Sequence, residues 1–517
     1  MKKHSVEQKT ERRISAALRL ALAAVLLLAQ IALVFLLSHL LEKYMAIAYT
    51  ALEILAIVYA VRVYNRPGSS TYKPGWIALI VALPVVGLIL YWLWSGDHQS
   101  KQLSLRKIAP PKLTQAQLAA GKSNIEKLRH DYPQWVRLAT YLDGHDFPLY
   151  GHTQSKYLST GEAYLDDMLT QIAAAERFIF MEYFIMAEGE IWYRLSKLLM
   201  QKATEGLEVK LIFDDFGSMM RLHNESLEKL KRAGVEIQVF NPVNHYVNRL
   251  YFNYRNHRKI TCIDGNIAYT GGANIADEYA NIIERFGHWK DSGVRLTGEG
   301  AWGLCREFIH MWQRMGGAFE HEHDYYRPDG EWEAQGFCQP LSDGPDNNPL
   351  AVAEDAYLQM IGSARNMVYI TSPYLAISDT MMNALCIAAE SGVDVRLMLP
   401  GIPDHKFAYL AAECYFGELL RHGVKLYIYE PGFLHGKAVL VDREVAFVGS
   451  VNMDYRSFQL HFECGSILYG APCTEDLLED MDQIMAESRN LSYEDWQHRP
   501  WHRRVLGPIM KLFAMWM

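Results

Sequence analysis

The sequence predicts a mixed α/β protein with two similar lobes, preceded by N-terminal transmembrane helices. Three observations support this prediction. The long apolar runs all lie before residue 96. After residue 154, helix-like stretches that end on glycine alternate with Val-rich strands, the rhythm of a mainly parallel sheet. The same order of pieces then occurs a second time. We therefore expect five segments: a membrane region over 1–96, a linker over 97–153, lobes over 154–330 and 331–490, and a basic, apolar tail over 491–517.

The membrane region carries three apolar runs, over 20–41, 45–61 and 76–94. The first is long enough to cross a bilayer core, and the third has aromatic residues at both ends, as at membrane interfaces. The second run contains Glu53 and is short, so it fits either a span or an interfacial hairpin arm. Pro84 is expected to kink the third run. A cleaved signal peptide explains the first run less well, because that run is too long and two more follow. We expect a multi-pass protein of the cell membrane.

Orientation depends on the number of spans. With three spans, the N-terminal arm and the loop after the second run carry nine Lys and Arg residues against five on the other side. The positive-inside rule then places the two lobes outside the cytoplasm, and two spans would reverse this orientation.

Composition excludes several classes of protein. The chain has 517 residues, 50% hydrophobic and 21% charged, which argues against disorder. A net charge of −8 provides no overall basic field for nucleic acid, so we expect no nucleic-acid partner. Seven cysteines include no C-x-x-C pair. Neither a zinc site nor a disulfide framework is therefore expected, and we predict no metal and no cofactor.

The most informative feature is a polar motif that occurs in both lobes. The first copy is His257-x-Lys259-x4-Asp264, followed after six residues by Gly271-Gly272-x-Asn274. The second copy is His435-x-Lys437-x4-Asp442, followed after six residues by Gly449-Ser450-x-Asn452. The copies lie about one domain length apart, so each lobe contributes one. We expect a site with pseudo-twofold symmetry between the lobes.

These residue types suit the chemistry of a phosphodiester. On a strand, His and Lys two residues apart share a face, so an imidazole lies beside an ammonium group. Two Lys and the two Asn, 274 and 452, can donate hydrogen bonds to phosphate oxygens and stabilise charge in the transition state. One neutral His can attack phosphorus, and the other can act as acid and base. We count Asp264 and Asp442 with the catalytic motif but expect them to bond local backbone in turns rather than carry protons.

At these residues the sequence resembles the phospholipase D superfamily, whose signature is this duplicated motif. The flanking stretches 253–259, 270–279 and 456–463, and the apolar stretch 83–91, resemble its bacterial cardiolipin synthase branch. Two departures are Ala273, where a bulky residue is frequent, and His461, where Asn is common; the second could alter acceptor binding. The resemblance implies two phospholipase D-like lobes that form a pseudo-twofold α-β-α sandwich.

The resemblance also implies an activity: transfer of a phosphatidyl group from one phosphatidylglycerol to another, which yields cardiolipin and glycerol. His257 would be the nucleophile, through a phosphohistidine intermediate, and His435 the acid and base. Asp291 and Glu463 match the positions of the carboxylates that orient the two imidazoles.

Four other functions remain open from the sequence. Water could resolve the intermediate and release phosphatidic acid, or another lipid could serve as donor or acceptor. A nuclease fits the apolar runs and the negative charge less well. A lipid-binding scaffold without activity is disfavoured because both His, both Lys and both Asn are present.

Overall fold

The computed structural model describes residues 25–26, 28–36, 44–66, 73–94, 105–242, 254–333, 335–347 and 350–512. The chain forms two compact units. An N-terminal unit comprises Met1–Leu103 with Val243–Asn253, and a main unit comprises Ser104–Pro242 with Tyr254–Met517.

The N-terminal unit contains helices Met45–Tyr64, Lys73–Ala82 and Pro84–Trp94, and residues 28–36 are also helical. The rest of the run predicted over 20–41 lies outside the described residues. Within the described part, one helix is long and apolar enough to cross a membrane, with a mean hydropathy of 1.6 over Ile47–Tyr64. The run predicted over 76–94 is two short helices that meet at Pro84, because proline lacks the N–H that a continuous helix needs.

The main unit contains two mixed sheets. The strands of the first lobe are β1 Thr153–Leu158, β2 Phe178–Tyr183, β3 Glu208–Asp214, β4 Glu236–Phe240, β5 Arg255–Asn256, β6 Ile260–Ile263, β7 Ile267–Gly271, β8 His288–Lys290 and β9 Gly293–Gly298. Its helices are Gly161–Ala173, Glu190–Thr204, Asp215–Ser218, Asn224–Arg232 and Ala301–Arg314. Seven of the strands form one sheet in the order β1-β9-β7-β6-β2-β3-β4.

The second lobe repeats this plan. Its strands are β10 Phe337–Asp343, β11 Met367–Thr371, β12 Leu375–Ala376, β13 Asp394–Pro400, β14 Lys425–Tyr429, β15 Gly432–Leu434, β16 Ala438–Val441, β17 Val445–Gly449, β18 Met453–Asp454, β19 His461–Tyr469 and β20 Ser488–Leu491. Its helices are Val352–Ser363, Asp379–Glu390, Lys406–Arg421, Tyr455–Gln459 and Cys473–Ala486. The order β10-β19-β17-β16-β11-β13-β14-β20 matches that of the first sheet strand for strand, with β20 added at the edge.

The prediction of a mainly parallel sheet is wrong. Within the two large sheets, β2-β3-β4 and β11-β13-β14 are parallel, as is the short pairing of β5 with the edge of β19, and the other ladders are antiparallel. The reason lies in the motif itself. The tight turns after β6 and β16 join each strand to its neighbour as a hairpin, which requires antiparallel pairing.

Each sheet is packed on both faces, as the alternation of side chains along its strands requires. In β2, Ile179 and Met181 join the core under the helices Gly161–Ala173 and Glu190–Thr204. Phe180 faces the other way and stacks on Phe308 of the helix Ala301–Arg314, with ring centroids 5.0 Å apart. The main unit is thus a mixed α/β structure with helices outside its sheets.

The segment 97–153, predicted as a linker, is structured where it is described. Helices span Gln115–Asp131 and Val136–Asp143, and a 3-10 turn spans Pro133–Trp135. Trp135, Leu138 and Leu142 are buried in the core of the second lobe. The apolar residues are too few and too interrupted by polar ones to stand out in the sequence, but they fall on one helix face.

The tail forms two helices, Tyr493–Gln497 and Trp501–Leu512. The second continues through Pro508. Packing against the helix Lys406–Arg421 holds the segment helical on both sides of this proline.

Candidate active site

Two short parallel ladders join the lobes and set the geometry of the candidate site. Strand β5 of the first lobe pairs with β19 of the second, with Asn256 opposite Phe462. Strand β15 of the second lobe pairs with β8 of the first, with Leu434 opposite Lys290. In each case the next residue along is a motif histidine on one strand and a carboxylate on the other. The register therefore brings each histidine beside an acid of the opposite lobe.

The first pair is His257 and Glu463. The backbone N–H of His257 donates to the carbonyl of Phe462 over 2.9 Å, which continues the ladder by one residue. The His257 Nδ1 lies 2.9 and 3.0 Å from the two Glu463 oxygens. A carboxylate accepts, so Nδ1 carries the proton and Nε2 keeps its lone pair.

The second pair, His435 and Asp291, has the same geometry, but here the second lobe provides the histidine and the first lobe provides the carboxylate. The backbone N–H of His435 donates to the Lys290 carbonyl over 2.7 Å, and His435 Nδ1 lies 2.6 Å from Asp291 Oδ2. Both carboxylates are fully buried. Burial works to raise the pKa of Asp291, but the charge and hydrogen bond of His435, with the charge of Lys437, hold this pKa below its ordinary value. Asp291 therefore remains a carboxylate.

The motif lysines lie in the same buried site. Lys259 Nζ donates to the backbone carbonyl of His257 over 2.6 Å, and Lys437 Nζ donates in the same way to that of His435. Burial lowers the pKa of Lys259 to about 7 and that of Lys437 to about 8, and the charge of the Lys437 ammonium group also lowers the pKa of Lys259. An anion bound beside them would relieve this repulsion.

Both imidazoles are neutral before a ligand binds. Burial, followed by the charge of Lys437, lowers the pKa of His435 to about 4, although the charge and hydrogen bond of Asp291 oppose this shift. Burial also holds the pKa of His257 well below its ordinary value. The positive charges of Lys259 and Lys437 lower this pKa in the same direction. The same positive charges that depress these pKa values favour a bound phosphate.

The two motif asparagines have different surroundings. The Asn274 Oδ1 accepts from the backbone N–H of Ile185 over 3.0 Å, and its Nδ2 donates to the Tyr279 hydroxyl over 2.7 Å. The Tyr279 ring lies 5.5 Å from that of His435. Asn452 is buried, and its Oδ1 has no hydrogen-bond partner among the described residues. The free group of Asn452 is therefore a hydrogen-bond acceptor, while its side chain also bonds Asp454.

Asp264 and Asp442 lie at the far ends of the motif strands. Asp264 accepts from the backbone N–H groups of residues 176, 177 and 178 over 2.7–2.9 Å. Asp442 accepts in the same way from residues 365, 366 and 367. Strand β6 lies between Lys259 and Asp264, and at ~3.3 Å per residue the two are about 16 Å apart along the chain. Both aspartates anchor the start of a neighbouring strand and do not reach the imidazoles.

Several residues that support the site have only weak signals in the sequence. The hydroxyls of Ser450 and Ser457 both donate to Glu463, the second over 2.8 Å. At the position equivalent to Ser450, the first motif has Gly272, where an added Cβ would lie 2.1 Å from Asp291 Oδ1. The difference between Gly-Gly and Gly-Ser in the two motif copies indicates this position, whereas nothing in the sequence indicates Ser457.

A third histidine lies next to the nucleophile candidate. The His461 ring centroid is 5.6 Å from that of His257, and its Nδ1 is buried without a hydrogen-bond partner among the described residues. In the described part of the chain, His257, His461 and Glu463 form the one group whose ligand atoms, all within 4.8 Å of one another, could hold a metal ion. Glu463 already accepts three hydrogen bonds there, from His257, Ser450 and Ser457.

Duplicated lobes with paired imidazoles and lysines at their junction define a phospholipase D-like class of protein. Residues 168–283 and 357–485 match the family described as cardiolipin synthase, PLD-like domain, and residues 52–96 match the phospholipase D-nuclease N-terminal family.

A cardiolipin synthase of Geobacillus kaustophilus is 34% identical over 89% of this chain and 92% of its own length. An uncharacterised protein of Streptococcus mutans is 36% identical over 85% of this chain and 95% of its own length. The crystal structure of phosphatidylserine synthase from Haemophilus influenzae has a TM-score of 0.57 at 15% identity, covering 74% of this chain and all of that one, which shows the fold.

The chain belongs to the bacterial cardiolipin synthase family of the phospholipase D superfamily. The prediction made from the duplicated motif is confirmed, and so is the prediction that the chain is an enzyme of this family.

Proposed function

We propose that this enzyme transfers a phosphatidyl group between two phosphatidylglycerol molecules to form cardiolipin and glycerol. The observation that carries the proposal is the reciprocal exchange of carboxylates, in which each motif histidine bonds an acid of the other lobe. Two equivalent imidazoles on either side of one cationic pocket suit a two-step transfer. In such a transfer, the leaving group and the acceptor are the same kind of alcohol.

The first step uses His257 as nucleophile. When the phosphodiester binds, His435 takes up a proton at Nε2. The Nε2 lone pair of His257 attacks phosphorus, the bond from phosphorus to the glycerol oxygen breaks, and the protonated His435 gives its Nε2 proton to that oxygen. A phosphohistidine and free glycerol result. In the second step, a glycerol hydroxyl of another phosphatidylglycerol gives its proton to His435 and attacks phosphorus. The bond from phosphorus to His257 then breaks, and both imidazoles return to their initial state.

The difference between the two carboxylates supports this division of roles. Glu463 shares its charge with the hydroxyls of Ser450 and Ser457, so it supports an imidazolium at His257 less strongly. Asp291 raises the pKa of His435 by charge and by hydrogen bond. A bound phosphodiester adds a negative charge near Lys437 and raises the pKa of His435 further, which loads this imidazole with the proton it donates.

The lysines and asparagines bind the phosphate. Lys259 and Lys437 bring two ammonium groups to the junction, and we assign the amide Nδ2 donors of Asn274 and Asn452 to the same phosphate. Charge-assisted donors of this kind stabilise the charge that develops on the non-bridging oxygens. Asp264 and Asp442 hold the motif strands in place and act only through the fold.

We also propose that the N-terminal unit crosses the membrane more than once. The helix Met45–Tyr64 exposes Ile47, Ile54 and Val58 at 57–69%, a surface that suits lipid and not water. Single-cysteine accessibility at the ends of each apolar run, measured in intact cells and in inverted vesicles, tests this topology. Labelling from one side only at all loops would contradict it.

The activity is tested by mass spectrometry of the lipids formed from phosphatidylglycerol that is radiolabelled in its glycerol headgroup. We expect cardiolipin and released glycerol in equal amounts. We also expect complete loss of both in His257→Ala and His435→Ala, with His130→Ala as control because His130 is an exposed histidine of the same chain. Phosphatidic acid without cardiolipin would instead identify a hydrolase, and full activity of either active-site variant would contradict the mechanism.

A further inference from the structure

The C-terminal helix, Trp501–Leu512, has two opposite faces of different character. One face is packed on the helix Lys406–Arg421. Arg503 Nη1 pairs with Glu413 Oε1 at 2.9 Å, and an added Cβ on Gly507 would lie 2.9 Å from the Cys414 sulfur. This docked face is a single stripe along the helix. It contains Arg503, Gly507 and Met510, which are four and three residues apart and so lie on the same side.

The outward face is apolar. Trp501 is 75% exposed, Val505 55%, Ile509 44% and Leu512 48%. At 3.6 residues per turn, these four positions point away from the docked stripe and lie along one line. Surface helices of soluble domains normally expose polar residues there, so this row requires a partner.

The charges around the row indicate the chemistry of that partner. Exposed His502 and Arg504 flank the apolar line on its two sides. Arg499 and Lys511 add further positive charge, and the sequence has no Asp or Glu from residue 496 to its end. An amphipathic helix with a tryptophan, aliphatic side chains and flanking cations fits the interface of an anionic bilayer.

We propose that the outward face of this helix inserts into the surface of an anionic phospholipid bilayer and holds the second lobe there. The docked face remains on the helix Lys406–Arg421, so the whole lobe and not a loose tail is fixed to the membrane. This attachment is independent of the catalytic residues. It is also independent of the spans at the other end of the chain.

A fluorescence measurement on the full-length protein tests the proposal directly. Val505→Cys is labelled with the environment-sensitive dye NBD in a Cys414→Ala background, because the other six cysteines are buried. The protein is reconstituted into vesicles of phosphatidylglycerol and phosphatidylcholine that contain spin-labelled lipid. We expect quenching of at least about twofold at this position. We expect none for the same label at His130→Cys, a site that is exposed in the structure.

Two other outcomes would overturn the proposal. Equal quenching in vesicles of pure phosphatidylcholine would show that anionic lipid is not the partner. A shielded label without lipid quenching would instead indicate a protein contact, such as a second copy of the chain.

A second variant separates attachment from catalysis. Replacement of Trp501, Val505 and Ile509 by Ser leaves the docked stripe intact, so we expect unchanged thermal stability and unchanged turnover in detergent micelles. Turnover in anionic vesicles should fall severalfold, because the lobe spends less time at the lipid surface. Equal activity of this variant and the parent enzyme in vesicles would contradict the proposal even if the enzyme forms cardiolipin as expected.

Discussion

Replacement of Asp291 by Asn tests the reciprocal pairing most sharply. The substitution keeps the size of the side chain and an oxygen that can accept the Nδ1 proton of His435, but it removes the charge 2.6 Å from that nitrogen. Asp291 raises the pKa of His435 against burial and the charge of Lys437. Without it, His435 holds a proton less well and its ring is less firmly oriented.

The expected loss follows from the strength of this interaction. A hydrogen bond to a charged group contributes about 1.5–3 kcal/mol. If the full amount is lost in the transition state, the rate of cardiolipin formation falls about 10- to 150-fold, at 1.36 kcal/mol per factor of ten. Because Asp291 does not contact the lipid in the proposed mechanism, kcat should carry the loss and KM should change little.

The assay is the initial rate of cardiolipin formation in detergent over a range of pH. Asp131→Asn is the matched control, because Asp131 Oδ1 also lies 2.8 Å from a histidine Nδ1, that of His130, but this pair is exposed. An Asp291→Asn enzyme as fast as the control would refute the positioning role. So would a loss of activity that appears only together with a lower melting temperature.

Three further predictions follow from the same site. Since the pKa values of Lys259 and Lys437 are lowered to about 7 and about 8, their positive charge is complete only below about pH 6 and is lost as the pH rises through these values. We therefore expect kcat/KM to decline from about pH 7 upwards, and Lys437→Met should remove one step from the profile; a flat profile up to pH 10 would contradict this assignment. Gly272→Ala should abolish activity because its Cβ would lie 2.1 Å from Asp291 Oδ1, whereas Gly362→Ala, with nothing within 4 Å, should be active in the same lipid assay. Prolonged dialysis against EDTA should change the rate by less than about twofold, because the lysines supply the charge that a metal would otherwise provide; loss with EDTA and recovery with one divalent metal would overturn this expectation.

The repeat could be predicted from the sequence because the two motif copies have the same spacing between their polar residues. The sequence could place His257, Lys259, His435 and Lys437 at equivalent positions of the two lobes. The prediction that they lie on strands is wrong, because they occupy the short links between β5 and β6 and between β15 and β16. The sequence could not predict the structured helices over residues 115–143, because their few apolar residues become a core only against the second lobe. Local pattern carries no information about a partner surface that lies 200 residues further along the chain.

The carboxylates that orient the two histidines are a second feature that local sequence patterns could not predict. Asp291 and Glu463 were indicated by the family resemblance, and no spacing rule connects either to its histidine, since the pairs are 144 and 206 residues apart. The structure supplies the missing link through ladders of three and two residues, which place Leu434 opposite Lys290 and Asn256 opposite Phe462.

Because these ladders run between the lobes, each imidazole is oriented only when both lobes are present. A lobe on its own would keep its histidine and lysine but would lose the carboxylate, the cross-lobe ladder and the neighbouring ammonium group. Neither copy of the duplicated motif therefore forms a complete site without the other. The two copies form one site whose two members depend on each other for orientation and charge, and the strand order that the two sheets share, apart from the added β20, gives these two members equivalent positions.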